Sequence, residues 1–516
     1  MVSTSVYRAV IMVTIATGAG RLLGFVREVF LASYFGTGWE NDAFNLALNM
    51  PDMILCVVTV ALTTTFIPLY SQVCEQSGPH EAIRFTNSIM FMVAGCTALL
   101  SLTGYGGARV LIGLAGAGFS DGTQVLAARL LQIMAPTIFF TGVVSVLSGY
   151  LQSNRQYFGA ALIGVPLNIL IIICLVLLTP RVGITAPAWG YQLGTGFQAI
   201  MLWVVAWKMG CHFIKPDFSI TPYLKKMAFL ALPVIVSSSV LQVNVLVSSI
   251  LASGLQEGAV SSLHYAERLM LFPHNVVMMS LAAVAFPVLS KAAAGGGLSA
   301  VRGKLAGWVE ALLLLSLPLA FLLYVLSQPV VEFVFQHGRF DSTSTLFTSQ
   351  ALEFYALGLP AYGLREIFNR AFYSVQDSLT PMYNGVVAMA LNIALSCVLV
   401  RLLGHCGLAL ASTLAGIAAG ILLILQCRRK QLLWMERCAL FRIIGYLTAA
   451  LAAASLARIF RTSLPVIICG FGGLAVYAIL LLAAYIWCKQ RKTGTPALDI
   501  LRAKWLEFQE HKGGWV

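Results

Sequence analysis

The sequence predicts an all-α polytopic membrane protein. It should hold about fourteen transmembrane helices, in two six-helix lobes related by a parallel repeat plus two C-terminal helices. Three observations predict it. Of 516 residues, 59% are hydrophobic and only 10% charged, whereas a soluble domain carries roughly 25% charged residues. The apolar runs are continuous and reach the ~20 residues a crossing helix needs, unlike the alternating strands of a membrane barrel. Short motifs of the first half also recur in the second at a nearly constant offset.

The first span, 6–33, is read as a retained helix, because no small-residue cleavage site follows a short apolar core. Spans at 42–74, 84–113, 122–152, 159–180 and 186–208 complete an N-terminal lobe, 1–210. Spans at 222–253, 258–290, 303–327, 343–374, 380–402 and 406–427 form a C-terminal lobe, 211–430. Spans at 440–460 and 464–488 fill 431–490, outside the repeat. Residues 491–516 are a cytoplasmic tail whose stretch 494–510 is amphipathic, as for a helix lying on the membrane surface.

The repeat rests on three pairs about 220 residues apart. Pro166-Leu167-Asn168-Ile169 matches Ala390-Leu391-Asn392-Ile393, Ile67-Pro68-Leu69-Tyr70-Ser71 matches Phe286-Pro287-Val288-Leu289-Ser290, and Tyr150-Leu151 matches Phe372-Tyr373. A unit of six spans keeps its orientation, so the halves are related by an axis along the membrane normal, with a cavity expected between them near the midplane. Loops after even-numbered spans carry most of the cations, among them Arg84, Arg155, Lys225, Arg428, Lys430 and Arg442. Both termini are therefore expected in the cytoplasm.

Several function classes are excluded. The net charge of +13 lies mostly in loops between apolar segments, and no nucleic-acid pattern accompanies it. No phosphate-binding glycine loop exists, so the chain does not hydrolyse ATP. The seven histidines show no metal spacing, and the eleven cysteines contain no C-x-x-C pair. No cofactor or metal is expected.

Ionisable groups at membrane depth are costly and mark pathways. The first span carries Gly20-Arg21-Leu22-Leu23-Gly24-Phe25-Val26-Arg27-Glu28. Arg21 and Glu28 share nearly one face, with Arg27 turned about 100° from Glu28. Two readings stand: a structural ion-pair set, or a cationic lining that holds phosphate through bidentate guanidinium contacts. Gly20-x-x-x-Gly24 reads as a helix-packing face. Asp42 opens the second span, either as an N-terminal cap or as an outer gate paired with an arginine. Arg268, with Glu267 beside it, supplies the second lobe's arginine. Glu366 and Arg370 suit an i,i+4 pair. Asn168 and Asn392 are repeat-related amides suited to interhelical hydrogen bonds.

These residues are also where the chain resembles a known family. The Gly20–Glu28 stretch, Tyr34-Phe35-Gly36, Asp42-Ala43-Phe44 and Met50-Pro51 resemble the opening of the MurJ (MviN) lipid II flippases. Tyr265-Ala266-Glu267-Arg268-Leu269-Met270, Phe335-Gln336-His337-Gly338-Arg339 and Arg370-Ala371-Phe372-Tyr373 resemble its later landmarks. The resemblance implies the fold of the multidrug/oligosaccharidyl-lipid/polysaccharide exporter superfamily, with the last two spans forming a lipid-tail groove. It implies flipping of undecaprenyl-pyrophosphate-linked disaccharide pentapeptide across the bacterial cytoplasmic membrane, by alternating access, for cell-wall synthesis. It gives Arg21, Arg27 and Arg268 to the substrate headgroup, and supporting or gating roles to Glu28, Asp42, Asn168, Glu267 and Asn392. Partners implied are lipid II, membrane lipids and, as candidates, cell-wall synthesis or division proteins.

The chain departs from the pattern at Leu55-Cys56 and Val60, where the family has arginines and a glutamate, and at Leu271, where an acid is common. Ser248 and Ser396 stand where sodium-binding members carry acids. Membrane potential, rather than sodium, is therefore the expected drive. The alternatives are a flippase for another undecaprenyl-linked glycan, or a drug exporter of the same superfamily. A membrane enzyme would need a closer acid/base pair than Glu28, Asp42 and Glu366 offer, and a non-transporting scaffold would tolerate loss of the three arginines.

Overall fold

Helix covers each of the fourteen predicted segments in the computed structural model, which describes residues 4–212, 221–433, 437–461 and 465–490. The tail segment 494–510 lies outside the described residues. In chain order the helices are α1 (Thr4–Phe35), α2 (Trp39–Ser77), α3 (Pro79–Gly106), α4 (Ala108–Ala115), α5 (Asp121–Met134), α6 (Pro136–Ser153), α7 (Tyr157–Ala161), α8 (Gly164–Val182) and α9 (Thr185–Lys208). They continue as α10 (Thr221–Ser253), α11 (Ala259–Pro273), a π-helical turn (His274–Met278), α12 (Met279–Val325), α13 (Ser327–Phe335), α14 (Ser342–Ser374), α15 (Leu379–Leu403), α16 (His405–Arg429), α17 (Arg437–Phe460) and α18 (Val466–Gln490). No strand occurs among the described residues.

Breaks between these helices have local causes. Pro136 starts α6 and splits the fourth segment into α5 and α6, because proline cannot donate the hydrogen bond that would continue α5. The eighth segment bends through the π turn that follows Pro273. The expected loop near 291–302 is instead helical on both sides of one residue, Gly297, whose φ of 61° and ψ of −152° interrupt the 47-residue α12. Only glycine takes that conformation without a Cβ clash.

Among the described residues, eight helical stretches are long and apolar enough to cross a bilayer. α1 and α14 are not among them, and both carry ionisable groups inside otherwise apolar sequence. Two shorter apolar helices, Gln242–Ser253 and Val466–Leu482, accompany the eight.

The chain divides into two compact units, Met1–Ser261 with His337–Asp341, and Ser262–Gln336 with Ser342–Val516. In the first unit α2 packs against α3, α5, α6 and α10. Phe66 stacks on Phe85 at 5.8 Å, and Tyr70 meets Tyr150 edge-on at 5.7 Å. In the second, α12 packs along α14 and α17, and α14 along α16, around Leu312, Phe368 and Phe372.

Connections sort by parity within the first unit. At one end Trp39 N–H donates to Glu257, Gly118 N–H to Ser253 and Arg339 N–H to the Ser33 carbonyl. At the other, Asn154 donates to Tyr70, Asn87 to the His212 carbonyl and Lys226 to Gln72. The first set joins connections after odd-numbered segments and the second those after even-numbered ones, as alternating crossings require. Gly258 and Gly338 make the first end possible. Both have positive φ, and a Cβ on either would strike the carbonyl oxygen of Thr37 or Ser33.

Candidate functional site

α1 and α8 approach closely because both are glycine at the crossing. A Cβ on Gly20 would lie 3.4 Å from the Cα of Gly164. One turn on, Gly24 leaves room for the amide of Asn168. The Gly20/Gly24 pair is therefore the packing face expected from its spacing.

Asn168 uses that room to join three backbone and side-chain groups. Its Nδ2 donates to the carbonyls of Gly20 (3.1 Å) and Gly164 (2.7 Å), and its Oδ1 accepts from Arg27 Nη1 at 3.0 Å. Arg27 Nη2 pairs with Glu28 Oε1 at 2.5 Å. The guanidinium also lies over the Tyr191 ring, 5.2 Å from its centroid, which a desolvated cation favours. Glu28 is 3% exposed. The sequence put Glu28 on one face with Arg21 but too far along the axis for a direct pair. The structure pairs Glu28 with its neighbour Arg27, because both side chains are long enough to close the 100° between them. Arg21 is exposed and has no ion pair or side-chain hydrogen bond among the described residues.

Tyr191 is also part of the wall of a cavity of about 490 Å³ in the first unit, lined further by Asp52, Thr59, Thr137, Thr141 and Thr195. Asp52 is close enough to Arg27 to act on it electrostatically. The site thus holds a cation already neutralised by Glu28, with an aromatic face and a carboxylate at its edge. Asp52 and Tyr191 were not singled out in the sequence. Asp52 was detectable as an acid directly after Pro51, whereas Tyr191 carried no signal.

Asp42 is buried in the first turn of α2. Its Oδ2 accepts from Gly258 N–H at 2.7 Å, and its Oδ1 accepts from Ser261 N–H (2.7 Å) and Ser261 Oγ (2.6 Å). It therefore caps the first turn of α11, where two otherwise orphaned amides and the positive helix end favour an anion. Neither sequence reading had this partner: no arginine is paired with it among the hydrogen bonds and ion pairs described, and the helix it caps is not its own. A second cavity of about 470 Å³ adjoins it, lined by Trp39, Phe119, Gln256 and Glu257.

In the second unit Arg268 is exposed, and its Nε lies 3.4 Å from His264 Nε2. Glu267 is exposed beside it and acts electrostatically on Tyr355 and Tyr362. Asn392 is buried, and its Oδ1 accepts from Ser396 Oγ at 3.5 Å. Asn168 and Asn392 match in the repeat, but only Asn168 is hydrogen-bonded to an arginine in the bonds described. No ion pair joins Glu366 to Arg370; Arg370 instead lies over the Phe286 ring at 5.7 Å. No group of three or more His, Cys, Asp or Glu side chains is disposed to hold a metal among the described residues.

Two charge pairs were missed. Arg442, counted with the loop cations, lies in α17 and makes a bidentate contact with Glu310 of α12, at 3.1 and 2.7 Å. Glu310 is 1% exposed. In the connection after α14, Asp377 accepts from Lys430 and from the hydroxyl and amide of Thr380. Partial burial alone would raise the Asp377 carboxyl, but these hydrogen bonds outweigh it and hold its pKa below the ordinary value.

The family model for lipid II flippase MurJ matches residues 31–477. A probable lipid II flippase MurJ of Rhizobium meliloti (strain 1021) is 33% identical over 420 residues, covering 79% of this chain and 78% of its own. The lipid II flippase MurJ of Thermosipho africanus (strain TCF52B) is 32% identical over 416 residues, covering 80% and 84%. A solved lipid II flippase MurJ in an inward closed conformation superposes with a TM-score of 0.81 at 28% identity, covering 92% of this chain and 99% of that one. An inward-facing transporter of the multidrug resistance MATE family matches at 0.69 with 14% identity over 82% of this chain, a likeness of fold.

Proposed function

This chain belongs to the MurJ family of lipid II flippases, and we propose that it carries lipid II from the inner to the outer leaflet of the bacterial cytoplasmic membrane. It is a multi-pass membrane transporter rather than an enzyme. The observation that supports this reading best is the Arg27 cluster. A guanidinium is fixed inside an apolar helix by Asn168, Glu28 and Tyr191, beside a cavity of the first unit. Even paired, ionisable groups at that depth are costly and usually mark a substrate pathway.

In this reading Arg21, Arg27 and Arg268 hold the pyrophosphate and its first sugar. Glu28 and Asn168 orient Arg27, Asp42 anchors the first turn of α11, and Glu267 and Asn392 support the second lobe. The lobes by repeat are 1–210 and 211–430, working by alternating access. Spans 13 and 14 guide the lipid tail. All fourteen segments cross, and both termini are cytoplasmic. Membrane potential drives the cycle, because moving a net charge across it is worth about 2.3 kcal/mol per charge per 100 mV. Proteins of cell-wall synthesis or division are the partners this role calls for.

The deciding experiment is depletion of the protein in its own host, with lipid II assayed in each leaflet. Accumulation on the inner leaflet is expected. Unchanged distribution overturns the reading. Replacing sodium by choline, then collapsing the potential at constant sodium, tests the drive. Loss of transport in the first experiment alone overturns potential coupling.

A further inference from the structure

The second unit contains a cluster of titratable side chains that the headgroup reading does not use. His274 opens the π-helical turn after Pro273. Its ring meets Tyr362 of α14 edge-on, with centroids 6.4 Å apart. Its Nδ1 is buried without a hydrogen-bond partner among the described residues. Glu366, one turn beyond Tyr362 on α14, acts on His274 electrostatically and forms no ion pair among the described residues. Glu267 acts electrostatically on Tyr362.

Each of these facts is unusual in a membrane. A buried imidazole nitrogen left unpaired is costly. A carboxylate inside a span needs a counter-charge, and ionisable chains of Asp, Glu and His at that depth serve proton relays. A π turn is a local irregularity found frequently at functional sites.

We propose that His274 and Glu366 form a proton-binding site in the second lobe, one proton being taken up and released in each flipping cycle. With the proton bound at Nδ1, imidazolium and carboxylate neutralise each other. With it released, Glu366 remains a net negative charge beside a neutral ring. The step balances, because the proton comes from water and returns to it.

The surrounding charges are accounted for. From α14, Arg365 approaches Gly385 of α15, its Nη2 3.9 Å from where a Cβ would stand, and Arg370 lies over Phe286. From α11, Arg268 is bonded to His264 and Glu267 lies towards Tyr355 and Tyr362. From α12, which packs on the π turn, Glu310 is held by Arg442, and Lys291, Arg302 and Lys304 are exposed. Glu366 is thus the carboxylate with His274 as its described electrostatic neighbour.

The inference rests on the flippase reading for the cycle, but the proton site is tested without substrate. Full-length protein in nanodiscs is titrated across about pH 5 to 8, reading carboxylate-stretch and imidazole bands by infrared difference spectroscopy. The wild type should show a coupled transition. Glu366→Gln should remove its carboxylate component and move the imidazole midpoint by about one pH unit, and His274→Gln should abolish the transition. Glu366→Asp and His274→Asn serve if the first pair does not fold. A midpoint that does not move in Glu366→Gln, or a transition that persists in His274→Gln, overturns the site. In proteoliposomes the pH profile of lipid II flipping should flatten several-fold in His274→Gln; an unchanged profile overturns its part in the cycle. Absence of flipping in the wild type would instead overturn the flippase reading, and the infrared result would still decide the proton site.

Discussion

Arg27 and Asn168 meet at 3.0 Å across the α1–α8 crossing, and the same amide is fastened by two backbone carbonyls, Gly20 and Gly164. The arginine is therefore oriented by groups that cannot turn away. An amide held at both carbonyls presents only its oxygen to the guanidinium, which leaves the rest of the fork for Glu28 or for an arriving phosphate.

Arg27→Ala should abolish complementation of a lipid II flippase depletion, as should Arg21→Ala and Arg268→Ala, while each protein still inserts. Arg27→Lys should work only in part, because the bidentate fork is lost. Arg27→Ala strips the buried Glu28 of this cation and should cost about 3–5 kcal/mol. Adding Glu28→Gln should restore yield without restoring flipping, read by expression level and by assay in proteoliposomes. Full complementation by all three alanine variants removes the headgroup role.

Asp42→Asn should destabilise the first turn of α11 by about 1–3 kcal/mol, since a charged acceptor of three hydrogen bonds is replaced by a neutral one. Ser261→Ala removes only the hydroxyl bond and should cost less. Hydrogen exchange at residues 258–262 reports it directly. Equal protection in wild type and Asp42→Asn would show that the cap does not hold this turn.

Glu310→Ala or Arg442→Ala should each cost about 3–5 kcal/mol by leaving a buried charge without its partner. The double variant Glu310→Leu with Arg442→Met should recover most of that loss. A thermal double-mutant cycle in detergent measures the coupling. Additive losses would mean that the two side chains act independently.

The Asp377 carboxyl has its pKa depressed by Lys430 and Thr380. A depressed folded value gives stability that is present above the unfolded value of about 3.9 and is lost as pH falls through the folded value. The melting temperature of Asp377→Asn should therefore lie below that of wild type at neutral pH, and the gap should close below about pH 4. The contribution is small, because Lys430 is half exposed and screened. A gap independent of pH would assign it to packing.

A reporter fused after Lys492 should read cytoplasmic, and one inserted beside Arg339 should read external, as the distribution of loop cations requires. A periplasmic reading at Lys492 would mean an odd number of crossings and would also end the argument from the repeat.

Helix positions were legible because apolar length and proline placement act locally. Partners were not. Spacing put Glu28 on the face of Arg21 without naming a direct partner, and side-chain reach gave it to Arg27. Arg442 read as a loop cation because the charge sits near a helix start, and nothing in the sequence says that Glu310 waits across the bundle. Glu366 and Arg370 had the spacing of a pair, yet an aromatic ring took the arginine. Asp42 was recognisable as a cap, but its target lies more than two hundred residues away. Helix period thus told which side chains share a face, while tertiary packing decided which of them meet.

The Asp42 latch has a genetic asymmetry. Two of its three donors are main-chain amides, at Gly258 and Ser261. Substitution at a partner position leaves those amides in place, so no second-site change of side chain there can mimic or replace what Asp42 supplies. Gly258 itself is confined to glycine by its positive φ and by Thr37. A screen for suppressors of Asp42 variants should therefore return true revertants and distant stabilising changes, and few pairwise swaps of the kind that rescue Glu310 with Arg442.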